Sequence, residues 1–206
     1  MSQIKLTAAG GGGTVALKGP ASTTGNAAIE LTLPGTANGT LLTSNSSTGK
    51  VINYAQTLKK DTASVSSIAQ GAISSSPLIS LDYTAASTSN KLLLSYTCHI
   101  GIDTTVNTFG YLYIGGSVST IIGDQGSSNQ KRATSTSQGT SSGEAMIHSF
   151  QTLIDNPATS STTYGIHFGH ANNATHTIYI NRDATSTNAS YAARFVSSLT
   201  ILEVEP

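Results

Sequence analysis

The twelve residues Lys91–Ile102, KLLLSYTCHIGI, constrain this chain more than any other stretch. Leu92, Leu94, Tyr96, Cys98, Ile100 and Ile102 stand at alternate positions, with Ser95, Thr97, His99 and Gly101 between them. A period of two held over that length is the pattern of a half-buried β-strand, and such a strand needs neighbours on both edges. Further segments supply them: LISLDY (78–83), FGYLYI (109–114), SVSTII (117–122), EAMIHSFQTLI (144–154), TTYGIHF (162–168), HTIYIN (176–181) and ARFVSSLTILEVE (193–205). Short strands closely spaced and separated by turn residues predict an antiparallel sandwich rather than βαβ units, with a jelly roll as the expected architecture. The turn Asp155-Asn156-Pro157 ends one strand because Pro157 cannot donate to the ladder. The next strand should turn Tyr164, Ile166 and Phe168 to the core and Thr163, Gly165 and His167 outward.

Composition agrees. Serine and threonine supply 60 of the 206 residues, while the helix-favouring residues are scarce. Ser, Thr and Asn compete for backbone hydrogen bonds in a helix, whereas Thr, Val, Ile and Tyr suit a pleated surface. Charged residues make up only 10% of the chain and cancel to zero, which argues against nucleic acid as a partner. The N-terminus lacks the apolar core of a signal peptide, and no apolar run approaches the roughly 18 residues of a membrane helix, so no membrane association is expected. A single cysteine, Cys98, reads as a small buried core thiol.

Three regions follow. Residues 1–54 carry short apolar segments set between turns, including TVALK (14–18), IELTLP (29–34), TLLT (40–43) and KVINY (50–54). Each is too short to build a core alone and gains stability only against a larger surface, the behaviour of an anchoring arm. Residues 55–76 place Leu58, Val65 and Ala72 at heptad spacing, but the serines and Gly71 weaken a helical neck, and an irregular connector is expected. Residues 77–206 form the sandwich, in which the polar stretch 123–145 should be a surface loop or hairpin.

No residue constellation suggests an enzyme. GTSSG (139–143) matches G-x-S-x-G in letters, with Ser141 at the nucleophile position, but it lies in a polar loop rather than at a strand-to-helix turn. His167, His170 and His176 lack the spacing of a tight zinc site and read as surface or edge histidines. GGGG (10–13) and STGKV (47–51) are not phosphate loops. The acids Asp103, Asp124, Glu144, Asp155 and Asp183 form no catalytic pair or calcium loop, and the four sequons at Asn38, Asn45, Asn173 and Asn188 are what this composition gives by chance. No cofactor or metal is expected.

Two runs carry a family resemblance. GGTVALKGP…AIELTLPGTANGTLLTSNSSTGKVINY resembles a module of tailed bacteriophages of aquatic bacteria, in which a Leu-Pro turn and a Gly-Thr-leucine segment precede a trimeric domain. IDNPATSSTTYGIHF…HTIYINRDATSTNASYAARFVSSLTILEVEP is similar to jelly-roll heads of phage virion proteins. The resemblance implies a homotrimer on the outer surface of a virion, made in the host cytoplasm. The leading expectation is a capsid decoration, or cement, protein whose arm anchors on the major capsid protein through Ile4, Leu6, Val15, Leu17, Ile29, Leu31, Leu33, Leu41 and Leu42. The alternative is a short tail or head fibre, joined to tail or baseplate proteins, whose tip binds a host surface glycan through loops 123–145 and 169–175.

Overall fold

The alternation of Lys91–Ile102 becomes strand β6, the longest strand among the described residues of a computed structural model that covers residues 3–7, 14–18, 50–124, 130–139, 144–185 and 193–205. The chain divides into two compact units, Met1–Ser46 and Ser47–Pro206. In the first, β1 (Gln3–Thr7) and β2 (Thr14–Lys18) pair antiparallel as a two-stranded ribbon. The second is an all-β sandwich of two antiparallel sheets.

In the first sheet β6 is central. One edge of it pairs along nearly its whole length with β10 (Ala145–Asp155). The other edge is shared by two strands in line: β13 (Ser197–Glu205) pairs with Lys91–Thr97, and β12 (His176–Ile180) pairs with Ile100–Ile102. Those two are flanked by another collinear pair, β3 (Lys50–Lys59) beside β13 and β4 (Ala63–Ile68) beside β12. In the second sheet β11 (Thr162–His170) lies between β5 (Ile79–Tyr83) and β7 (Asn107–Ile114). The far edge of β7 is shared by β8 (Ser117–Val118) and β9 (Ser135–Gln138).

The inward residues of both sheets meet in one core. Leu92, Leu94, Cys98 and Ile100 of β6 lie in it with Ile166 and Phe168 of β11, Ile178 and Ile180 of β12, and Leu199 and Ile201 of β13, all fully buried. The expected core thiol Cys98 is there, and burial pushes its pKa up to about 12.

A clasp holds the first sheet together where its composite strands are broken. Asn181 leaves β12 with φ of 61°, a left-handed conformation that asparagine tolerates better than most residues. Its side-chain amide donates to the carbonyls of Lys59 and Asp61, where β3 ends and before β4 begins. Ser197, the first residue of β13, donates its hydroxyl to Asn181 Oδ1 and accepts from the amide of His99. One buried side chain thus ties three strand ends whose polar groups would otherwise be unpaired.

Four expectations change. Residues 55–76, expected as an irregular connector, contain the second half of β3 and all of β4, and 50–54, assigned to the arm, begin β3. The period of two is interrupted by a register shift opposite His176–Ile178, with Ser67 at φ 60°, so the apolar positions fall out of phase. The segment 117–122 is a strand only at Ser117–Val118, because the Ser119 hydroxyl accepts from the amide of Ile121 and turns the chain away. Within 123–145, β9 lies on the edge of β7. Finally, Gly165 and His167 do point away from the core but are covered, since residues 71–78 run along β11 with bonds from Ser74 to Phe168 and from Leu78 to Ile166.

Candidate functional site

Four of the nine arm residues proposed for anchoring come together. In the ribbon, Ile4 stands opposite Leu17 and Leu6 opposite Val15. Directly paired residues share a face, and residues two apart on a strand share it too, so all four belong to one face of the ribbon. Gln3, Lys5, Thr7, Thr14, Ala16 and Lys18 belong to the other. An isolated two-stranded ribbon is marginally stable in water, and an apolar face of this kind gains most from being covered. Ile29, Leu31, Leu33, Leu41 and Leu42 lie outside the described residues, as does Ser141.

The outer face of the first sheet supplies a second surface, formed only when register is known. Leu153 of β10 pairs with Leu93 of β6, Leu93 with Leu202 of β13, and Leu202 with Tyr54 of β3. These four side chains form an apolar row across four strands, roughly 14 Å long at the usual strand spacing. Tyr54 is 57% and Leu153 46% exposed. The next row adds exposed Val51 and half-buried Val204. An outer sheet face normally carries polar side chains, and the adjacent row on the other side conforms, while exposed Leu58 and Ile147 lie farther along the same face. There Gln56, Thr200, Ser95 and Gln151 line up, with Gln56 Nε2 donating to Thr200 Oγ1 at 3.0 Å. The charges that flank the apolar row are paired, Lys91 with Asp155 at 2.9 Å and Lys50 with Glu205 at 3.6 Å.

The histidines are built into the sandwich. His170 is fully buried, with Nε2 donating to the carbonyl of Ile68 at 2.7 Å. His176 Nδ1 meets Asp103 Oδ1 at 2.6 Å, and its ring stands edge-on to that of His170. Among the described residues no three His, Cys, Asp or Glu side chains stand close enough to hold a metal. Of the histidines expected at the surface or an edge, His167 and His170 are buried and His176 is half-buried, each bonded to a residue far away in sequence.

Two further polar groups went unrecognised in the sequence. His148 lies in the core and bridges Ser135 and Thr108, at 2.9 and 2.8 Å, while the Tyr96 hydroxyl reaches Ser135 at 2.7 Å. Burial pushes the His148 pKa down to about 4. Glu203 is fully buried and accepts from Tyr83, Asn90 and the amide of Ala86. Burial alone would raise its pKa, but the hydrogen bonds from Asn90, Tyr83, Ala86 and Ser87 together outweigh it and hold the carboxyl below its ordinary range. Both groups are buried with their hydrogen bonds made inside the fold, so both read as parts of the scaffold.

A scan against models of protein families finds no match for the chain, and no curated protein matches it.

Proposed function

We propose that this protein is a non-enzymatic structural component of a bacteriophage virion, a homotrimer of jelly rolls that decorates the capsid and is held to the major capsid protein by its N-terminal arm. The observation that carries the proposal is the ribbon of the first unit, whose face of Ile4, Leu6, Val15 and Leu17 calls for a partner surface. The strand order supports the jelly-roll reading. Counting each collinear pair as one strand, the order is 1-8-3-6 in the first sheet and 2-7-4-5 in the second, the order of two interleaved Greek keys. The sequence resemblance to phage virion proteins points the same way.

The apolar row on the first sheet is assigned to contact between copies of the chain. A second copy meets no charge repulsion there, because each neighbouring lysine already has an acidic partner and the chain is neutral overall. The double variant Tyr54→Lys, Leu153→Lys is expected to turn the trimer into a monomer in analytical ultracentrifugation while circular dichroism still reports a folded β protein. An unchanged mass would remove this face from the interface.

The anchoring role has its own test. Ile4→Asp with Leu17→Asp in the full chain should leave the purified protein trimeric and equally heat-stable, yet abolish its addition to particles stripped of the wild-type protein. Particles left bare should then release genome at a lower temperature than decorated ones. Equal binding by the variant, or equal heat resistance of bare particles, would defeat the cement role. Hundreds of copies per particle are expected, whereas a dozen or two would favour the fibre.

A further inference from the structure

The outer face of the second sheet carries a cleft that the proposed contact surfaces leave out. Tyr113 of β7 lies over His167 of β11, ring centroids 3.8 Å apart and planes 26° apart. Beside them opens a cleft of about 540 Å³, within the usual range for small-molecule sites. Its floor is kept low by Gly165, where a side chain would press on Pro77 at 3.0 Å, and its rim by Gly115 and Gly116. The remaining wall is hydroxyl-bearing, with Ser75, Ser161, Thr162 and Thr163.

The hydrogen-bond directions around this cleft limit what fits. Thr162 donates its hydroxyl proton to the carbonyl of Ser160, and Thr163 donates to Asp82. His167 Nδ1 donates to the carbonyl of Ser74 at 2.8 Å, which fixes the tautomer and leaves Nε2 as the acceptor, near Gly165. Three side chains with committed protons therefore offer lone pairs, a set that suits a ligand carrying several O–H donors. No residue of the wall carries a full charge, since burial holds the His167 pKa below its ordinary value and keeps the ring neutral. A phosphorylated or sulfated ligand would find no cation to offset its desolvation. A purely apolar one would leave the hydroxyls unpaired. The negative face of Tyr113 suits the weakly positive C–H bonds of a sugar ring.

We infer that the cleft between Tyr113 and the Ser161–Thr163 segment that opens β11 binds a neutral saccharide, one pyranose ring stacked on Tyr113 and its hydroxyls donating to Thr162, Thr163 and His167. This site is on the opposite sheet from the apolar row, and the inference does not rest on how the chain attaches to a particle.

The test uses the purified full chain and a panel of neutral oligosaccharides, including maltohexaose, cellohexaose and chitotetraose, with heparin and a random-sequence peptide pool as comparisons. Titration followed by amide chemical shifts should show saturable binding to at least one neutral oligosaccharide, with the largest shifts at Tyr113, Gly116 and Thr162. Tyr113→Ala should weaken binding by about tenfold, the scale of one lost aromatic contact, while Tyr113→Phe keeps it. Ser161→Arg, at an exposed position, blocks the mouth without touching the core and should abolish binding. Absence of saturable shifts with every neutral oligosaccharide would overturn the inference. So would binding that survives Ser161→Arg, or a preference for heparin or peptide. None of these results depends on particle addition, so failure here and failure of the capsid role are separately visible.

Discussion

Replacing Glu203 with alanine is expected to lower the unfolding free energy by about 3–5 kcal/mol, since several buried donors lose their acceptor at about 1–3 kcal/mol each. For a domain of this size that corresponds to a fall in melting temperature of roughly 10 °C. The carboxylate sits between the sheets, bonded by the Tyr83 hydroxyl at 2.8 Å, the Asn90 amide at 2.6 Å and the backbone amide of Ala86 at 2.8 Å. Alanine would strand three donors away from water, and an unsatisfied buried donor costs more than its bond contributes. Glu203→Gln is expected to lose much less, because the Tyr83 hydroxyl can accept where it formerly donated. A thermal melt of the two variants checks the order. Equal losses would mean that the negative charge, rather than the satisfaction of donors, is what the cluster requires.

Acidification is the second large effect. His148 has a folded pKa near 4 against an ordinary value of 6.5, through burial. A lowered pKa means that the unfolded chain takes up the proton first. Stability is therefore whole above about pH 6.5, falls as the pH drops toward 4, and is no longer lost to this group below that. The interval of about 2.5 pH units corresponds to roughly 3 kcal/mol. Glu203, with its own pKa lowered, adds a further loss as the pH falls below the carboxylate range. Urea unfolding at a series of pH values from 7.5 to 4.5 should show the first slope, and His148→Gln should flatten it. A slope unchanged in that variant would place the acid sensitivity elsewhere.

Much of the sandwich was legible because strands with one buried face carry their own pattern. β6 and β10 to β12 were readable from alternation alone, and so was the inward set Tyr164, Ile166 and Phe168. β9, Ser135–Gln138, has no apolar period at all; it is a strand because the edge of β7 offers it a ladder. β4 was hidden by its bulge. The surfaces were harder still, since the row Tyr54, Leu202, Leu93 and Leu153 joins residues from four segments and exists only through register. Glu203 did leave a signal. In LTILEVE the inward positions are Leu199 and Ile201, and the same phase carries Glu203 into the core. The partners that make its burial tolerable lie more than a hundred residues away. The cleft escaped notice for a related reason: Tyr113 and His167 look like ordinary members of two alternating strands until the strands are laid side by side.

The clasp at Asn181 separates two properties that are coupled in most sheets. β12 and β13 lie along β6 as if they were one strand, yet residues 182–196 intervene, and the bonds that close the gap belong to Asn181, Ser197 and the neighbouring backbone. Sheet continuity is thus secured at the two ends of the interruption, where Arg182 also bridges Arg194 and Phe195 stacks on His99. The two halves of the composite strand are therefore fastened to each other by side chains rather than by a continuous ladder, so the integrity of the sheet hinges on Asn181 and Ser197 as much as on its backbone bonds.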